Sequence, residues 1–177
     1  MPRGIIINGA SGTGKTTLGL ELAKRLDFFF MDLDDYYRNK DTGISCSNED
    51  EIRKNIVEDI ARHPNFVMSG SIIGELLTEV RPYIDYVVLL FASTETRVNR
   101  VKARTAAEYG NRIMPGGDMY DIAELFYKDV KRSNPKKFEL WSSSFICPVI
   151  RLDGEKSIET NASVAMKAIF EEKNNSN

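Results

Sequence analysis

Gly9, Gly14, Lys15 and Thr16 stand at the spacing G-x-x-x-x-G-K-[ST]. That spacing carries chemistry when an apolar strand runs into it and a helix leaves it. Both conditions hold. Ile5-Ile6-Ile7 reads as the strand, and Leu18, Leu22 and Leu26 recur on one face of a helix that begins at the lysine. Gly9, Gly12 and Gly14 free the backbone to curl its N–H groups around an anion, with Ala10, Ser11, Thr13 and Thr17 completing the cradle. The helix N-terminus adds partial positive charge at the same point. Lys15 is expected to reach the β- and γ-phosphates of ATP, and the Thr16 hydroxyl to ligate Mg²⁺. A dinucleotide loop, G-x-G-x-x-G, would need glycine at position 17 after Gly12 and Gly14, and Thr17 stands there.

A second chemical feature follows the next apolar run. Phe28 to Met31 reads as a strand that delivers Asp32, Asp34 and Asp35 to its carboxyl end. If the strand continued, Asp32 and Asp34 would face the same side. One carboxylate there can serve Mg²⁺ opposite Thr16, or take the proton of an attacking hydroxyl. Two adjacent carboxylates repel, so a metal or a substrate hydroxyl between them is favoured.

Positioning these groups requires alternating strands and helices, and the pattern supplies them. After a polar loop, Asn39 to Asn48, a capping box of Ser47 and Asp50 opens a helix to Arg62 with Ile52, Ile56 and Ile60 on its apolar face. His63-Pro64 stops it, and the histidine is expected to meet the helix-end carbonyls. Asn65–Ser69 is a strand, with a helix through Leu76 and Leu77 before Pro82. Tyr86–Phe91 is the most apolar strand, and a charged helix runs from Thr94 to Glu108. Another helix spans Tyr120 to Arg132, Phe145–Leu152 is a strand interrupted by Pro148, and Ile158–Phe170 closes the chain. Pro148 suits a sheet edge or a strand start. Phe28, Phe29, Phe30 and Trp141 read as core, and Cys147 as a buried small hydrophobe. Five strands alternating with helices imply an α/β three-layer sandwich around a parallel sheet, with ligands at its carboxyl edge.

These motifs resemble the small P-loop kinases: shikimate kinase, gluconate kinase and adenylate kinase. The phosphate loop covers Gly9 to Thr17, and F-x-D-x-D at Phe30, Asp32 and Asp34 is similar to a shikimate kinase motif. The resemblance implies that Asp32 serves Mg²⁺ and Asp34 holds the acceptor hydroxyl. Arg100 and Arg104 resemble the R-x-x-x-R of adenylate kinase lids, which would lay Arg100 on adenine and Arg104 near the γ-phosphate. Arg112 stands where a lid arginine would swing over the transferring group. The run Arg151 to Gly154, with Asp153, is similar to the adenine-binding loop. Arg53, Gly70 and Ser71 fall where shikimate kinase grips its acceptor, but the acid after that arginine, the triple glycine and the R-P-L-L lid are all missing. The implied unit is one P-loop kinase-like domain over 1–177, with an acceptor segment near 33–62 and a lid near 104–118. The arginines at 97, 100 and 104 also share a spacing that fits a solvated helical stripe, Arg97 most of all.

Bulk properties agree with a small-molecule enzyme. The 177 residues are 42% hydrophobic and 28% charged with net charge −2, so no affinity for nucleic acid is implied. Apolar runs are too short to span a bilayer, and Met1-Pro2-Arg3 leaves no room for a signal peptide before the first strand. Cys46 and Cys147 have no metal-ligand spacing, so the expected setting is the reducing cytoplasm. The expected activity is transfer of the ATP γ-phosphoryl group to a hydroxylated metabolite or nucleoside. A nucleoside monophosphate kinase and a regulatory ATPase are the alternatives.

Overall fold

The computed structural model describes residues 4–37, 48–72 and 77–174. Strand β1 (Gly4–Asn8) is buried at every position. Helix α1 (Lys15–Leu26) follows, then β2 (Phe29–Asp32), a single turn α2 (Leu33–Tyr36), α3 (Glu49–Arg62) and β3 (Phe66–Gly70). Next come β4 (Tyr86–Phe91), α4 (Thr94–Tyr109), α5 (Tyr120–Arg132), α6 (Lys136–Ser142), β5 (Val149–Asp153) and α7 (Ile158–Asn174). Five strands form one parallel sheet in the order β2-β3-β1-β4-β5. β1 therefore lies between β3 and β4, at the point where the order of strands reverses, and the crevice there opens at the strands' carboxyl ends.

Period-two alternation divides the core. Ile6, Met68, Val87 and Leu89 face one side with Ile52, Ile56 and Ile60 of α3 and Phe138 and Trp141 of α6. Ile5, Ile7, Val67, Val88 and Leu90 face the other with Leu18 and Leu22 of α1 and Ala162, Ala165 and Ile169 of α7. A third cluster, with Val98 and Val101 of α4 and Ala123, Tyr127 and Val130 of α5, joins the two helices beyond the sheet. Among the described residues no helix is long and apolar enough to cross a membrane.

Several local expectations are corrected. Asp32 and Asp34 do not share a strand face: β2 stops at Asp32, whose side chain accepts from the Asp34 N–H and caps α2. Of the three phenylalanines, Phe29 is 38% exposed, because β2 is an edge strand, and its ring stacks on His63 at 3.9 Å. That ring contact accompanies the expected place of His63 at the C-cap of α3. Ser47 lies outside the described residues, as do Cys46 and the rest of the loop over 39–47; the side chain that caps α3 is Asn48, accepting from Asp50 and Glu51. Positions 73–76 of the helix expected after Ser71 also lie outside them. Leu77 to Val80 form turns and Arg81–Tyr83 a short 3₁₀ helix. β5 begins only at Val149, after Pro148, and Cys147 is half-buried in the preceding loop, not in a strand. The expected strand start is taken up by turns: the Phe145 N–H donates back to the Ser142 carbonyl at 3.1 Å and the Phe145 ring packs on Trp141 at 4.6 Å. Arg97 is no solvated residue. It is 1% exposed, donating to the Val130 carbonyl at 3.0 Å and to Thr94 Oγ1 at 3.1 Å, so it ties α4 to the end of α5.

Candidate active site

The turn after β1 takes the chain from the sheet into α1. Gly14 is the N-cap of α1 with φ 100, a left-handed conformation that an L side chain rarely adopts. Lys15 leaves the first turn half-buried, with Nζ donating to the Ala10 carbonyl at 3.0 Å. Desolvation pushes its pKa down from 10.5 to about 8, against the opposing pull of Asp34 and then Asp32. Arg104 and Arg97 add smaller downward pushes. The ammonium is thus held short of counter-charge, in a place that an anion would complete.

This perturbation has a measurable consequence. A phosphate beside Lys15 favours the charged form and raises its pKa, so nucleotide binding takes up a proton wherever the free enzyme's lysine is neutral. ATP affinity is expected to fall as pH rises through about 8, by roughly tenfold per unit above it, with net proton uptake approaching one per ATP. Titration calorimetry in two buffers of different ionisation enthalpy reads the uptake directly. Affinity flat from pH 7 to 9.5 would contradict it.

Thr16 Oγ1 donates to Asp32 Oδ2 at 3.1 Å, linking the phosphate loop to the end of β2. Burial raises the Asp32 pKa; hydrogen bonds from the Asp34 N–H and from Thr16 work in the opposite direction. Asp34 is placed by its flanks. Leu33 is buried against Gly70, where a Cβ would sit 2.7 Å from Leu33 Cδ1, so glycine at position 70 lets α2 approach β3. Tyr36 Oη donates to Asp59 Oδ2 at 2.6 Å and fastens α2 to α3. Ser71 donates to the Gly9 carbonyl at 2.9 Å.

A cleft of about 670 Å³ gathers Gly12, Gly14, Lys15, Thr16 and Thr17 with Asp32, Asp34, Gly70, Ser71, Arg100 and Arg104. Arg100 Nη1 donates to the Gly154 carbonyl at 2.8 Å and to Thr13 at 3.3 Å, closing one wall between the phosphate loop and the β5–α7 connection. Gly9, Ala10 and Thr13 of the expected cradle are buried within the loop and do not line the cleft, and three further expected residues stay away from it. Arg112 pairs with Asp118 at 2.7 Å on an exposed 3₁₀ turn. Arg53 pairs with Asp50 of its own helix at 3.2 Å. Asp153 Oδ1 accepts from the Glu155 N–H, and the side chain lines a separate shallow depression beside Phe91 and Ser93.

Other groups at the site went unmarked in the sequence. Asn8 is fully buried, its Oδ1 accepting from the Gly9 and Ile72 N–H groups and its Nδ2 donating to the Ile72 carbonyl. It clamps the start of the phosphate loop to the segment after β3. Its one signal was an amide at the end of an apolar strand. Glu155, Lys156, Ser157 and Ile158 line the cleft where Asp153 was expected, and Phe126 reaches it from α5. Glu155 accepts from the Ser93 N–H and Thr96 Oγ1, fixing that wall to the start of α4, and these bonds lower its pKa.

A five-stranded parallel sheet with a phosphate loop at its strand reversal, and carboxylates at the neighbouring strand end, has the architecture of a small P-loop kinase. The chain matches the AAA domain family over residues 5–119 and belongs to it. It is 29% identical over 166 residues to the uncharacterized protein YqaC of Bacillus subtilis (strain 168), covering 89% of this chain and 92% of that one. It is 27% identical over 143 residues to a cytidylate kinase of Saccharolobus islandicus (strain M.16.4 / Kamchatka #3), covering 73% and 71%. Among solved structures, shikimate kinase from Bacteroides thetaiotaomicron superposes with TM-score 0.58 at 17% identity over 95% of this chain and 98% of that one. Deoxyadenosine kinase from M. mycoides, with dCMP and dCDP bound, superposes with TM-score 0.56 at 17% identity over 94% and 98%. The fold is that of the small P-loop kinases.

Proposed function

We propose that this chain is a cytoplasmic kinase that transfers the γ-phosphoryl group of ATP to a hydroxyl of a small acceptor. The observation that carries this reading is a single cleft lined by the phosphate loop, Asp32, Asp34 and Arg104. Backbone N–H groups of the loop and Lys15 hold the phosphates, with Arg104 facing the developing charge on the transferring group. Asp34, with Asp32 as the alternative, accepts the hydroxyl proton. The acceptor oxygen bonds to the γ-phosphorus as the bond from that phosphorus to the β–γ bridging oxygen breaks, and ADP leaves. Thr16 and Asp32 offer two hard oxygen donors beside the phosphate position, the partial ligand set Mg²⁺ uses when substrate phosphates and water complete its shell. The ion neutralises charge on the phosphoryl oxygens when bound. Arg100, beside the β5–α7 connection, suits a role on the nucleoside end of ATP.

The cytidylate kinase relative favours a second reading, in which the acceptor is a nucleoside monophosphate. A regulatory ATPase draws less support, because β3 and β4 end in Gly70 and Phe91, without an acid at either end. ADP release is to be measured with hydroxylated metabolites, nucleosides and nucleoside monophosphates. At least one acceptor is expected to raise turnover about 10²-fold or more over water. Brisk hydrolysis indifferent to every acceptor would sink the kinase reading.

A further inference from the structure

A second cavity, of about 380 Å³, adjoins the cleft and shares Asp34, Arg104 and Phe126 with it. Its size falls within the ~300–1,000 Å³ usual for small-molecule sites. It lies between α2, α4 and α5, and its lining includes none of Arg53, Gly70 and Ser71, where the acceptor was expected. Its described lining is chemically lopsided. Asp34, Asp35 and Glu108 supply three carboxylates against one guanidinium, that of Arg104. Ile122 and Phe126 supply an apolar wall, although they are 58% and 36% exposed on the surface of α5. Large apolar side chains left exposed along a cavity mark a place where something apolar is meant to rest.

Resting on the kinase reading above, we infer that this cavity is the acceptor subsite, and that its substrate is an uncharged, nucleoside-like molecule. Such a molecule lays a flat apolar face on Ile122 and Phe126 and presents a hydroxyl to Asp34. Hydroxyl groups can donate to the remaining carboxylates, which accept only. A carboxylate or phosphate on the acceptor would be repelled by three acids with one arginine in compensation. Sugar acids and nucleoside monophosphates are therefore selected against, and polyols without an apolar face leave the α5 wall unused.

The test uses the full chain with ATP and Mg²⁺, and product formation by ³¹P NMR. Nucleosides and deoxynucleosides are compared with gluconate, shikimate, nucleoside monophosphates and glycerol. A nucleoside is expected to exceed each comparator in kcat/KM by at least about tenfold. Ile122→Glu changes an exposed helix position outside the ATP cleft. It is expected to cut nucleoside kcat/KM by about tenfold or more, with the ATP Kd within about twofold of wild type. Glu108→Gln, also on an exposed position, is expected to narrow the preference for neutral over anionic acceptors by roughly two- to fivefold. A best substrate that is anionic or a simple polyol would overturn the subsite while leaving the kinase reading intact. So would unchanged acceptor kinetics in both variants. ATP binding with no acceptor-dependent turnover at all would overturn both.

Discussion

Lys15→Ala is expected to lower acceptor-dependent turnover by about 10²–10³-fold while the protein folds normally. The lysine is the one cation emerging from the phosphate loop itself, and its Nζ rests on the Ala10 carbonyl inside that loop. Truncation removes charge where the transferring phosphoryl group gains it, so kcat falls, and it also removes the cation that holds the ground-state phosphates, so ATP Kd rises by about tenfold or more as it does when the lysine is neutral. The stability effect has the opposite sense. The free enzyme holds Lys15 at about 8 because desolvation disfavours its charge. Between that value and the ordinary 10.5 the unfolded chain binds more protons, so this group's unfavourable contribution is full below pH 8 and is relieved as pH rises. Replacing it with alanine therefore removes a desolvated ammonium, and the ligand-free variant should melt no lower than wild type at pH 7. Parallel thermal melts and steady-state kinetics read both effects. A variant that loses activity only because it unfolds would refute this account, as would one that turns over normally.

The stretch from Ile5 to Leu26 was legible because it carries its own context. Apolar run, glycines, lysine and amphipathic helix lie within a few turns of one another, and no distant contact is needed to interpret them. The alternation of strands and helices was legible for a related reason: strands of a parallel sheet covered on both faces carry near-continuous apolar runs, as Ile5–Ile7 of β1 and Val87–Phe91 of β4 do. What could not be read depends on tertiary placement. Arg97, Arg100 and Arg104 share one helical spacing but have three fates. Arg97 is buried beneath α5, Arg100 bonds to loop carbonyls, and Arg104 lines the cleft and the cavity. Nothing in the spacing says which side of α4 is covered. Arg112 and Arg53 likewise look like free cations in the sequence, and each is paired with an acid a few residues away. The turn of chain at Asp32 was lost for a local reason. An aspartate that caps a helix ends a strand, whereas the alternating pattern alone continues it.

That turn makes the contrast between Asp34→Asn and Asp32→Asn informative. Asp34 stands on the first turn of α2, where the cleft and the α4–α5 cavity meet. As the group that takes the acceptor proton, its replacement should cost about 10²–10⁴-fold in kcat, with ATP Kd within about twofold at pH 6, where Lys15 is charged in both proteins. Asp32 has two other ties, accepting from Thr16 and capping α2. Asparagine is also a good N-cap, so Asp32→Asn should fold, and its defect should shift the Mg²⁺ concentration needed for half-maximal rate. If Asp32→Asn instead carries the larger kcat loss at saturating Mg²⁺, the base is Asp32 and Asp34 is a positioning group. A further readout ties Asp34 to the donor side. Its carboxylate is the largest upward influence on Lys15, so Asp34→Asn should let the lysine pKa fall below its value of about 8. The pH at which ATP affinity begins to weaken should then move down in the variant, whichever carboxylate proves to be the base. Unmoved ATP binding across pH 6 to 9 would mean that Asp34 and Lys15 do not sense one another across the cleft.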